Sequence, residues 1–130
     1  SESTVEFRNI AFTNAKGQLF GGALSLFSST ATIVNSTFHN NSAYNGGAIF
    51  GKASHVTILS STFELNTADS YGGAIRIVVQ NSTAVISSTF KSNSATYGGA
   101  ISTRLCTATT VESSLFEANS ARRDGGALRL

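Results

Sequence analysis

The residues of this chain suited to acid–base work are few and regularly placed. Glu64 and Glu117 each follow a phenylalanine, Phe63 and Phe116, inside the same short motif. Two carboxylates on one face are what glycoside hydrolysis needs for a general acid and a general base. If such motifs stack at strand spacing, two steps place the pair about 9.6 Å apart, near the upper limit for an inverting enzyme. Lys91 falls between them, however, and His39 one step before Glu64. An alternating charge ladder on the surface is the simpler account. Asp69 and Asp124 stand singly before Gly-Gly pairs, without the Asp-rich nonapeptides of a calcium-binding solenoid. Cys106, the lone cysteine, has no nearby histidine to activate it. It aligns with Ser3, Ser29, Ser54 and Gln80, which predicts an exposed connector and a free thiol, with an interchain pair as the alternative. No catalytic residue, cofactor or metal site is expected.

The remaining chemistry is modification and surface texture. Asn35-Ser36-Thr37, Asn40-Asn41-Ser42 and Asn81-Ser82-Thr83 are acceptor sequences for N-linked sugar in a secreted protein. Glycans on Asn35, Asn40 or Asn81 would coat the outside and limit lateral sticking. Thr32, Thr57 and Thr110 with Thr37, Thr62 and Thr89 sketch the flat hydroxyl array an ice binder would need, but Glu6, Ala84 and Leu115 interrupt it. Val34, Leu59 and Ile86 form either an outward apolar strip or part of the core.

All of these positions are organised by one recurring stretch. Gly-Gly-Ala followed by Leu or Ile begins at Gly21, Gly46, Gly72, Gly98 and Gly125, in steps of 25, 26, 26 and 27 residues. A fixed period in this range is the signature of a solenoid. Eight or nine residues before each pair lies Phe12, Phe38, Phe63, Phe90 or Phe116, and three residues after each of the last four lies Asn41, Asn66, Asn93 or Asn119. Ala15 takes the Asn place in the first, least regular unit. Further apolar columns hold Phe7, Ile33, Ile58, Val85 and Val111, and Leu24, Ile49, Ile75, Ile101 and Leu128. Each coil thus offers three inward anchors, flanked by short β-branched runs with period two. The predicted fold is all-β: a parallel β-helix of about five coils with strands of three to five residues, some 24 Å long at 4.8 Å per coil. The Phe column should stack as the spine of the core. The Asn column should turn inward, each amide bonding its own coil's backbone and the amides above and below. The Gly pairs should serve a corner that needs positive φ or close backbone approach, with length variation confined to connectors.

Composition narrows the function. The 130 residues include 12% charged side chains at a net charge of +2, with no dense Lys/Arg patch beyond Arg122-Arg123, so no nucleic-acid partner is expected. No apolar run approaches the roughly 20 residues that span a bilayer, and no membrane insertion is expected. Ser1-Glu2-Ser3-Thr4 lacks the basic and apolar parts of a secretory signal, as in a mature segment.

The paired Gly-Gly-Ala-[Ile/Leu] and Phe-x-x-Asn tetrapeptides resemble the repeats of the chlamydial polymorphic outer-membrane protein family. The resemblance covers essentially the whole chain, all five coils carrying the first motif and four the second. It implies a right-handed parallel β-helix, displayed extracellularly or at the cell surface as an adhesin passenger on a separate membrane barrel. Activity does not follow from fold.

Neither end of the sequence reads as a cap. Leu26 precedes Phe38 by twelve residues, and Leu130 followed by Ser1 reaches Phe12 in twelve, so tail fits head. Residues 1–130 are therefore expected to be one uncapped block of a longer array, stacking head to tail with copies of itself, covalently or not. The alternatives are an arbitrary cut from a longer chain, an adhesin passenger segment, and, more remotely, a polysaccharide-active enzyme.

Overall fold

The computed structural model of the chain describes residues 3–130, the side chains of Gln80 and Asn81 excepted. Seventeen strands follow one another with no helix among the described residues. The first coil gives β1 (Ser3–Arg8) and β2 (Ala11–Thr13); the second gives β3 (Leu24–Phe27), β4 (Ser29–Val34), β5 (Thr37–His39) and β6 (Ser42–Asn45). The third holds β7 (Ile49–Lys52), β8 (His55–Leu59), β9 (Thr62–Glu64) and β10 (Thr67–Tyr71). The fourth holds β11 (Ile75–Ile86), β12 (Thr89–Lys91) and β13 (Ser94–Tyr97), the fifth β14 (Ile101–Glu112), β15 (Leu115–Glu117) and β16 (Ser120–Asp124), and β17 (Leu128–Arg129) opens the next turn.

Every pairing is parallel, because each strand meets its own copy one coil away. Three sheets result, of eight, four and five strands, running the length of the molecule. The register is the repeat itself: Phe12↔Phe38↔Phe63↔Phe90↔Phe116 on the five-stranded sheet, and Phe7↔Ile33↔Ile58↔Val85↔Val111 on the eight-stranded one. The solenoid of about five coils with parallel sheets is thus as the periodicity predicts. The first coil departs from the pattern, as its sequence does: Lys16 and Phe20 make only isolated bridges, to Ser42 and Asn45.

Two expectations about the backbone are corrected. β11 and β14 each run for 12 residues rather than three to five. Their corners are single residues in the left-handed region, Val79 (φ 54°) and Leu105 (φ 57°), which turn the chain without interrupting the ladder. Length variation is also not confined to connectors. The four-stranded sheet absorbs it inside the strands, where the register slips between Ala68 and Tyr71 and between Ala95 and Tyr97, as an extra residue in one strand does at a bulge.

The core is a line of like side chains. Phe38, Phe63 and Phe90 are wholly buried, and the five rings stack at 4.7, 4.6, 4.7 and 4.9 Å with interplanar angles of 13° or less. Burying each central ring contributes roughly 2 to 3 kcal/mol. Phe12 and Phe116 at the two ends are only partly covered.

Candidate functional site: the axial ladders

The Asn column builds the first ladder. Asn66 is fully buried, and its Oδ1 accepts both the backbone N–H and the side-chain amide of Asn41, each at 3.0 Å. Its Nδ2 donates to Phe38 O and to Asn93 Oδ1, again at 3.0 Å. Asn41 and Asn93 repeat the scheme, with Asn119 closing it through Phe90 O at 2.8 Å. The sequence expectation is corrected in one respect: each amide bonds the backbone of the neighbouring coils, not of its own. The ladder therefore ties coils together. Where Ala15 replaces Asn, the backbone half survives, Ala15 N donating to Asn41 Oδ1 at 2.9 Å.

A second ladder escaped the sequence reading. Ser36, Ser61, Ser88 and Ser114 lie two residues before each Phe. Each hydroxyl donates to the carbonyl two residues back, at 2.9 to 3.0 Å. Each also accepts the N–H of the preceding coil, from Ile10, Ser36, Ser61 and Ser88, at 3.1 to 3.2 Å. Recurrence of Ser at Phe−2 in four of five units was the available signal.

Cys106 belongs to a third column of this kind, which corrects its placement in an exposed connector. Ser54 Oγ donates to Lys52 O at 3.0 Å and accepts from Ser29 N at 3.1 Å. Cys106 takes the same position in β14, half-buried against the core, its Sγ directed at Arg104 O at 3.5 Å. The thiol stands in for a ladder hydroxyl.

The Gly pairs divide the two roles foreseen for them. The first Gly carries positive φ, 65° to 67° at Gly46, Gly72 and Gly98. The second permits close approach: a Cβ on Gly73 would stand 2.1 Å from Gly99 O.

The other candidate residues are scattered over the outside. His39, Glu64, Lys91 and Glu117 share one column, with His39 Nδ1 3.3 Å from Glu64 Oε1. Alternating sign along a single row is a surface charge ladder rather than a cleft of convergent carboxylates. Asp69 and Asp124 are exposed, and the described residues contain no group of three or more potential metal ligands. Val34, Leu59 and Ile86 align half-buried on the outside between Arg8 and Glu112. Thr32, Thr57 and Thr110 also align, interrupted by Glu6 and Ala84.

Asn35 and Asn40 occupy corners at φ 48° and 56°, exposed, donating to Asn9 Oδ1 at 2.6 Å and Asn14 Oδ1 at 2.7 Å. Each bond uses one of the two N–H groups of the side-chain amide. The side chain of Asn81 and the whole of Ser1 lie outside the described residues. Leu130 is exposed beyond the last strand.

No curated protein and no solved structure matches this chain. The family description "right handed beta helix region" matches residues 1–128. Together with the parallel coils and the five-membered Phe column, that match shows that the chain belongs to the right-handed β-helix family.

Proposed function

We propose that the chain is a structural module of an extracellular fibre or cell-surface appendage, in which successive blocks continue one β-helix along its axis. The observation that carries the reading is the axial register, in which each core column meets its own copy one coil away. The same columns reach both end faces, as Phe7 and Phe12 on one and Val111 and Phe116 on the other. The columns occur in the same order on both faces. In this reading one face meets the other in the ordinary coil-on-coil register, through a covalent link or by stacking of copies. A contact of this heterologous kind does not close and propagates into a filament.

Electron microscopy of the native material tests it. An axial period of about 24 Å per block, with no break between coils, is expected from five coils at strand spacing; isolated short rods with closed tips would overturn the reading. In material from a secretory source, the same filaments should carry sugar at Asn35 or Asn40, read as added mass on the corresponding peptides.

The adhesin reading follows from the resemblance to the chlamydial surface-protein repeats and shares the fold. It differs in requiring a ligand face on a closed rod, so the tips seen in the micrographs separate the two.

A further inference from the structure

Beside the Gly-Gly corner an outward column reads Phe50, Arg76, Ser102, Arg129 through successive coils. Arg76 is 6% exposed, an unusual degree of burial for an arginine. Its aromatic support is Tyr71, whose ring lies 4.2 Å below the guanidinium carbon. Its one side-chain hydrogen bond among the described residues is from Nη1 to Ser102 Oγ at 2.7 Å. Arg129 lies over Tyr97 at 4.6 Å, and Tyr97 stacks on Tyr71 at 4.9 Å. The Arg129 side chain is 41% exposed, but its Nη1 is shielded and makes no hydrogen bond among the described residues, pairing with Asp124 Oδ2 at 3.5 Å.

Tyr71, Arg76 and Arg129 line one cavity of about 510 Å³ together with Thr103, the exposed Arg104, Leu105 and Leu130. Three guanidinium groups from three successive coils thus face a common space, and the described residues give Arg76 no carboxylate. Desolvation by burial pushes the Arg76 pKa down, Tyr71 opposes the shift, and Arg104 and Arg129 add to it. A buried cation without an anionic partner is costly. An anion entering the cavity would restore what burial removed.

We infer that Arg76, held in place by Ser102, forms with Arg104 and Arg129 a binding site for a tetrahedral oxyanion, sulfate or phosphate, taken as the free ion or as its ester on a sugar. Donors supplied from three coils suit an anion that offers oxygens in several directions better than a planar carboxylate, which one guanidinium fork satisfies.

Isothermal titration of the chain at low ionic strength tests it, with inorganic sulfate, inorganic phosphate and a monosulfated disaccharide as separate probes. Saturable binding of at least one probe is expected, weakened about tenfold by Arg104→Gln or Arg129→Gln, the loss of one charge-assisted contact. Arg8→Gln, in the column that carries Val34 and Leu59 on another part of the surface, should leave it unchanged. Tighter binding of the disaccharide supports the sugar ester as the source, and equal or tighter binding of the inorganic ions supports the free ion. No saturable heat with any probe overturns the inference, as does an Arg8→Gln effect equal to that of Arg129→Gln, which would mark diffuse attraction. Arg104 is exposed, so its variant separates loss of binding from loss of fold.

Discussion

A single buried amide in this chain serves four partners. Asn66 accepts from Asn41 N and Nδ2 and donates to Phe38 O and Asn93 Oδ1. Replacing it with alanine removes all four side-chain bonds where no water replaces them. Each buried polar group left unpaired costs about 1 to 3 kcal/mol, although Asn93 Oδ1 keeps its bond from the backbone N of residue 66. Asn66→Ala is therefore expected to lower stability by about 3 kcal/mol or more, read as a shift of the urea midpoint at unchanged slope. Asn119→Ala should cost about 1 kcal/mol, because Asn119 is half-exposed and ends the ladder. Equal costs at the two positions would show that the ladder is not what the buried amides contribute.

At the scale of strands and corners, what limits the coil is the approach of backbones rather than the filling of the core. A methyl on Gly73 would meet Gly99 O at 2.1 Å and Ser94 O at 2.6 Å, both backbone atoms fixed by parallel pairing. A methyl on Gly51 would meet side chains alone, the flexible end of Ile77 at 3.0 Å and Val56 Cγ2 at an ordinary 3.6 Å being the nearest. Gly73→Ala is expected to cost about 3 kcal/mol or more and Gly51→Ala less than about 1 kcal/mol, measured by thermal unfolding. Similar losses at both sites would mean that the corners have room the coil spacing denies. The elements also show where the sequence is legible. The Phe, Asn and Gly columns can be read because one residue type recurs at one period, and the Ser column before Phe is written in the same way. The corners at Ser28, Ala53, Val79 and Leu105 cannot, since four unrelated residue types hold φ of 50° to 57° there without a Gly or Asn to announce the turn. That concealment hid the continuity of β11 and β14 and with it the inward position of Cys106. The arginine site was hidden for another reason. Arg76, Arg104 and Arg129 come from different coils and are joined only when the coils stack.

At the scale of the molecule, each coil is held by its neighbours alone, so the proposed axial continuation acts through the outermost coils. The second Gly of each corner reports on this. In the interior, a Cβ at Gly22, Gly47, Gly73 or Gly99 would stand 2.1 to 2.2 Å from the carbonyl oxygen of the matching Gly one coil on. At Gly126 it meets nothing within 4 Å, and Gly126 does not sit at positive φ. Gly126→Ala should leave the stability of an isolated block within about 0.5 kcal/mol of the parent, since it touches no fixed neighbour. If blocks continue one another, the carbonyl of the next block's first Gly-Gly corner comes to lie where that methyl projects. The same substitution is then expected to stop axial growth, or, in blocks joined covalently, to loosen the junction by as much as Gly73→Ala loosens an inner coil. Filament length in micrographs of the Gly126→Ala protein, set beside its unfolding midpoint, reads both effects. Filaments of undiminished length would show that the open face is not the surface through which blocks associate.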